Sequence, residues 1–281
     1  MKEDAPGKIV PVNDTHMHVY SLSTPSPQKK DTLVFLAGSG TECPTYDFKP
    51  LWHLLMGQYN MVVVERPRYG WSSQTERPRD IDTVLEETRE ALKQANICGT
   101  FIPVAHSLSG LEAIYWAQKY PEEVSAIIGL DMAVPQVYDT LKIPKLLTLI
   151  VWLGHLLHKQ VAKAMVKNHP AVKNNIIDEE EQTAMRYVIS KQFMSKNMMD
   201  EIGFVKENAH KVAISECPSV PLLCFLSTDK ANLKRIPTWG QIHRDYFANN
   251  SNVKFIELSC GHYVHRENPD IICKAIIHFL S

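Results

Sequence analysis

Neither sign of charge is in excess in this chain, where 30 Lys and Arg stand against 31 Asp and Glu for a formal net charge of −1. Nothing in that balance draws a phosphate backbone, and the longest purely basic run is Lys29-Lys30. Nucleic acid is therefore not an expected partner. Cysteine is sparse and unpatterned. Cys43, Cys98, Cys217, Cys224, Cys260 and Cys273 form no C-x-x-C pair and no zinc-ligand spacing, which argues against a disulfide scaffold and a structural metal. Several sit inside apolar runs such as Leu223-Cys224-Phe225, where Cys acts as a small hydrophobe, and reduced thiols fit a reducing compartment. Long apolar runs are missing as well. The most apolar stretch, Leu146–Leu157, has about twelve residues where a membrane span needs roughly 20. The opening Met-Lys-Glu-Asp-Ala-Pro-Gly lacks the apolar segment of a signal peptide. A soluble, cytoplasmic protein without stable membrane insertion is expected. Its 281 residues, 44% hydrophobic and 22% charged, hold ample core material, which excludes disorder and collagen-like repeats.

Short strands alternate with helices along the chain. Lys8–Val12 and His16–Leu22 alternate in polarity around Asn13-Asp14, which predicts a hairpin. Thr32–Ala37 and Asn60–Val64 are continuously apolar, as strands covered on both faces must be. Phe101–Ala105, Val124–Leu130, Val220–Leu226 and Val253–Leu258 are the next strand candidates. Ile81–Ala95, with Gly99 as a stop, Leu111–Lys119 and Asp270–Leu280 carry helical spacing. The pattern predicts an α/β fold with a mainly parallel sheet. It breaks between about Pro135 and Pro218, where the sequence reads as helical throughout, with Leu146–Leu157, Val161–Val166 and Glu179–Phe193 the clearest pieces. We expect a core formed by residues 1–134 and 219–281 and a helical lid formed by residues 135–218.

The chemistry should sit at the ends of strands. Val104-Ala105-His106-Ser107-Leu108-Ser109-Gly110 follows one strand and opens a helix, the setting of a nucleophile elbow, in which only small residues fit two positions either side of the serine. Ala105 and Ser109 are small; a serine that merely caps the helix is the alternative. Gly38-Ser39-Gly40 follows an earlier strand and is placed to aim a backbone N–H at a developing oxyanion. Ser227-Thr228-Asp229 and Ser259-Cys260-Gly261-His262 close two later strands. The order Ser107, Asp229, His262 is that of nucleophile, acid and base in one particular fold.

With these four segments the chain resembles the α/β-hydrolase family over nearly its whole length. LAGSG (residues 36–40) is similar to the family's oxyanion loop, with Ala37 where His is usual. ERPRYGWS (residues 65–72) resembles DxPGxGxS, with Glu65 for Asp. AHSLSG resembles the GHSxGG elbow, and CGHYVH (residues 260–265) resembles the segment presenting the catalytic histidine. The resemblance implies an eight-stranded type of sheet with a helical cap. It implies Ser107 as nucleophile, His262 as base, Asp229 as acid, and the N–H groups of Ser39 and Leu108 as oxyanion donors. Some relatives place the acid one strand earlier, which here is Asp131. His106, and Trp152 in the apolar run, are candidates for lining the substrate pocket; that run equally fits a packing face. No cofactor is expected. Because a general base must be neutral, activity should fall as pH drops through the imidazole range, about 6–7.

The resemblance implies a serine hydrolase of the carboxylesterase type on a small ester with an apolar acyl part. Aminopeptidase, thioesterase, lactonase and C–C bond hydrolase chemistry remain open on the same residues. A ligand-binding receptor on the same scaffold is the rival from another class. The serine argues against dehalogenases and epoxide hydrolases, which carry Asp there. Gly38-Ser39-Gly40 lacks the third glycine of a dinucleotide fingerprint, having Cys43-Pro44 instead. The pairs His16/His18 and His155/His158 lack further ligands and are read as lying on an exposed strand and a lid helix. The acids Asp178 to Glu181 are read as a solvated helix start.

Overall fold

The structure is a computed structural model that describes residues 5–22, 31–140, 151, 154 and 156–281. Eight strands, β1 (Lys8–Val12), β2 (Thr15–Leu22), β3 (Thr32–Leu36), β4 (Asn60–Glu65), β5 (Phe101–His106), β6 (Ile127–Leu130), β7 (Leu222–Ser227) and β8 (Val253–Leu258), form one sheet. Their spatial order is β1-β2-β4-β3-β5-β6-β7-β8. From β4 to β8 every pairing is parallel, and β2 is antiparallel to both neighbours. The predicted hairpin forms around Asn13-Asp14, with Val12 opposite Thr15 and Asn13 in the left-handed region that such a turn requires (φ 52°).

The apolar strands are covered on two sides, and side-chain alternation divides the core in two. Val34, Leu36, Val62 and Val64 face one cluster, with the helices Ile81–Gln94 and Ser109–Lys119. Leu33, Phe35, Met61 and Val63 face the other, with the helices Lys49–Leu55 and Pro269–Leu280. β6 starts later than the predicted Val124, which forms only an isolated bridge to Phe101.

Between β6 and β7 the chain is helical, as Val137–Thr140, His158–Asn168, Pro170–Lys173, Glu179–Gln192 and Lys196–Ala213. Ala162, Val166, Met185, Val188 and Ile189 pack there against Cys43 and Tyr46. The acid run opens a helix, as expected. The Asp178 carboxylate accepts the Glu181 N–H at 2.8 Å and Glu181 accepts the Asp178 N–H at 3.0 Å, a reciprocal cap. Trp152 and His155 lie outside the described residues, as does most of Leu146–Leu157. Among the described residues no helix is long and apolar enough to cross a membrane, and no group of three or more His, Cys, Asp or Glu could hold a metal.

His18 is not exposed, as the strand reading had it, but fully buried. Its Nδ1 donates to Glu65 Oε2 at 2.8 Å. Burial drives the imidazole pKa down, yet the Glu65 charge and hydrogen bond raise it overall. Glu65 also accepts the N–H and hydroxyl of Thr45 (3.1 and 2.8 Å) and the N–H of Trp71 (2.9 Å). The chain thus wraps the Glu65 carboxylate. Gly70 is obligatory in that wrap, since a Cβ there would stand 1.5 Å from Glu65 Oε2 and its φ is +53°.

Candidate active site

β5, β6, β7 and β8 lie in that order in the sheet, and the loops leaving β5, β6 and β8 carry Ser107, Asp131 and His262. Ser107 sits directly after β5 with φ 54°, a conformation costly for a side-chain-bearing residue and held by its surroundings. The clamps are specific. Ala133 N–H donates to Ser107 O at 2.7 Å, and the Ser109 hydroxyl donates to Leu36 O at 2.7 Å. A Cβ on Gly110 would stand 2.3 Å from Ala133 O, and one on Gly38 would stand 2.8 Å from Ser107 Cβ. The glycines and small residues of both loops are therefore dictated by close approach of backbone.

Ser107 Oγ lies 2.8 Å from His262 Nε2. On the other edge of the ring, His262 Nδ1 lies 2.6 Å from Asp131 Oδ2. The carboxylate on the imidazole is thus Asp131, correcting the expectation for Asp229. The reason is at the strand ends. Asp131 follows β6, fully buried, with φ 49°. At the end of β7, Ser227 uses its N–H to donate to Asp131 Oδ1 at 2.8 Å. Asp229, two residues further and half-buried, opens the helix Lys230–Arg235, its carbonyl accepting the Leu233 N–H. Trp239 Nε1 gives Asp131 Oδ1 a second donor at 2.8 Å; nothing in the sequence marked that tryptophan.

The Ser39 and Leu108 residues flank the serine, one through the Gly38 contact and one through the peptide bond, and both are half-buried. Among the described residues no acceptor takes either backbone N–H. The Met194 sulfur approaches this loop from the inserted helices, 3.8 Å from where a Gly40 Cβ would lie. His106 is 1% exposed. It is buried beneath the base, its ring 4.8 Å from that of His262 and 4.7 Å from that of Tyr263. Its Nε2 donates to His262 O at 3.2 Å. Burial, then the nearby His262 and His265, holds it well below the usual imidazole range, so it supports the base loop as a neutral ring.

Two buried charge clusters brace the site, and neither was legible in the sequence. In the first, Asp47 meets His265 Nε2 at 2.8 Å, His169 Nε2 at 3.3 Å and the Arg266 guanidinium. Burial favours its neutral form, but Arg266 and the two histidines overcome this and hold it well below the usual carboxylate range. With a depressed folded pKa, its stabilisation is complete above the unfolded value of about 3.9 and is lost as pH falls towards the folded one. Asp47→Asn should therefore lose about 3–5 kcal/mol at neutral pH by stranding Arg266. In guanidinium titrations the gap to wild type should close only below about pH 4.

In the second cluster, Arg66 Nη1 donates to Ala37 O at 2.9 Å, immediately before Gly38. Its Nε and Nη2 fork onto Glu201 at 3.0 and 3.2 Å. Nη1 also reaches Glu112 at 3.4 Å, and the Tyr69 hydroxyl donates to Glu201 at 2.7 Å. One buried guanidinium thus joins the Ala37 carbonyl, the helix Ser109–Lys119 and the helix Lys196–Ala213.

No family model matches the chain. The uncharacterized protein YbdG of Bacillus subtilis (strain 168) is 33% identical to it, over 98% of this chain and 85% of its own length. Among solved structures, the epoxide hydrolase CorEH superposes with a TM-score of 0.68 at 16% identity, covering 97% of both chains. CarC, a serine hydrolase involved in carbazole degradation, gives 0.68 at 14% identity with the same coverage.

Proposed function

Because the chain has the α/β-hydrolase fold, we propose that the Ser107–His262–Asp131 constellation makes it a serine hydrolase of a small ester with an apolar acyl part. The observation that carries this reading is the continuous line of two short hydrogen bonds, 2.8 and 2.6 Å, through one imidazole. With Nδ1 donating to Asp131, Nε2 is the acceptor that a nucleophilic hydroxyl needs.

The steps follow from those atoms. His262 Nε2 takes the Ser107 proton as Oγ bonds to the substrate carbonyl carbon. Asp131 holds the tautomer and stabilises the imidazolium. The Ser39 and Leu108 N–H groups stabilise the oxyanion, each by roughly 3 kcal/mol. Collapse of the intermediate expels the alcohol, which takes its proton from Nε2. Water, deprotonated by the same nitrogen, then releases the carboxylic acid and restores Ser107. Met194 and Leu108 give the entrance its apolar character, and the helices within 135–218 serve as the lid over residues 1–134 and 219–281.

A fluorophosphonate tests the reading by intact mass. Wild type should gain one adduct, and Ser107→Ala should gain none. His262→Ala, folded by circular dichroism, should label at least 100-fold more slowly. An unlabelled, well-folded wild type would overturn the hydrolase reading.

A further inference from the structure

Glu42 is 4% exposed and lines a cavity of about 240 Å³ just beyond the oxyanion loop. Cys43, Asp47, His169 and Arg266 border the same space, and Met165, Met185 and Ile189 form its apolar wall. Among the described residues, no side chain is hydrogen-bonded to the Glu42 carboxylate. Burial raises it to about 7, against the pull of its own backbone N–H and of Arg266. The surrounding charges decide what is missing. Asp47 and Arg266 cancel as an ion pair. His169 Nδ1 accepts the Ala171 N–H at 3.2 Å, so its single ring proton is the one offered to Asp47. Burial keeps His265 below the usual imidazole range and raises the Cys43 thiol well above its own. Glu42 is left as the unbalanced group: alone it keeps its proton up to about pH 7, and above that its buried charge lacks a counter-ion.

We propose that this cavity binds a small primary ammonium, its head on Glu42 and its alkyl stem along Met165, Met185 and Ile189. A metal ion does not suit it, because no sufficient ligand set converges there among the described residues. The space is also several times the roughly 30 Å³ share of one water. An anion does not suit it either. The guanidinium of Arg266 is committed to Asp47 and stacks 3.6 Å over the Tyr263 ring. Its unpaired Nε–H is one donor beside two carboxylates.

Isothermal titration of the full chain at pH 8 with pentylammonium, pentan-1-ol and pentanoate tests the site. Pentylammonium should bind at least tenfold more tightly than either of the others. Glu42→Gln, with an unchanged melting profile, should erase that preference. Met165→Trp, which fills the cavity from the inserted helices, should weaken the amine without touching Glu42. Equal affinity for alcohol and ammonium, tighter pentanoate, or undiminished amine binding by Glu42→Gln would overturn the proposal. Inhibition competitive with an ester substrate would make the ammonium part of the substrate. Binding without effect on KM would make it a separate ligand, and the site stands in either case. The titration reads binding, so it stands apart from the test of hydrolysis.

Discussion

Asp131→Asn is expected to lower kcat by about 10⁴-fold while KM and the melting temperature change little. The size of the effect follows from which amide atom goes where. Asp131 Oδ1 accepts two donors, the Ser227 N–H and Trp239 Nε1–H, so the asparagine oxygen must take that place. Its NH₂ then faces His262 Nδ1, which can only accept. The ring proton moves to Nε2, where it confronts the Ser107 hydroxyl and cannot take its proton. Asp229→Asn, outside this arrangement, should retain most activity. Steady-state turnover of a nitrophenyl ester by the two variants decides the matter, and the reverse ranking would return the acid role to Asp229.

Arg66→Met is expected to lose about 3–5 kcal/mol, because it removes the guanidinium between two buried carboxylates, leaving Glu201 the Tyr69 hydroxyl and Arg79 at 3.9 Å and Glu112 the Thr88 hydroxyl. Against an unfolding entropy of about 2.1 cal/mol/K per residue, that lowers the melting temperature by roughly 5–10 °C. It also frees the Ala37 carbonyl, and the Gly38-Ser39 peptide then has no fixed direction. At a temperature where the variant is folded, kcat should fall by about 10- to 100-fold with KM nearly constant, as for a group that acts on the transition state through an oxyanion donor. Arg66→Lys should restore part of the stability and little of the rate. A point charge cannot hold the Ala37 carbonyl and fork onto Glu201 at once. Recovery of kcat in step with stability in the lysine variant would remove the positioning role.

Sequence reading succeeded where one residue type had only one place to go. β3 and β4 are apolar at every position because both faces are covered, and the elbow needed small residues because Ala133 and Leu36 press on it. It failed where two strand ends offered the same chemistry. β6 and β7 both run into an aspartate, and only the parallel register, in which Leu130 stands opposite Phe225, sets Asp131 beside the histidine. It also missed charges buried by long-range approach. Arg66, Glu112 and Glu201 each look like solvated residues in their own segments, and Glu42 looks like loop polarity, until segments distant in the chain close over them. His106 was legible as near the chemistry but not as its support, since its stacking on Tyr263 depends on where β8 ends.

The fork from Arg66 to Glu201 sets where the molecule can breathe. Glu201 belongs to the inserted segment by chain order, yet its carboxylate is anchored below the nucleophile helix, so Lys196–Ala213 must move as one body with the sheet. The helices between His158 and Gln192 have ties of their own, His169 to Asp47 and Gln192 Nε2 to Gly70 O at 2.8 Å, which any opening there must break. The Phe193–Ser195 connection joins them to Lys196–Ala213, and in it Met194 occupies a left-handed conformation (φ 41°). The same residue rests against Gly40, so the connection between the inserted helices and the loop after β3 meet at one methionine.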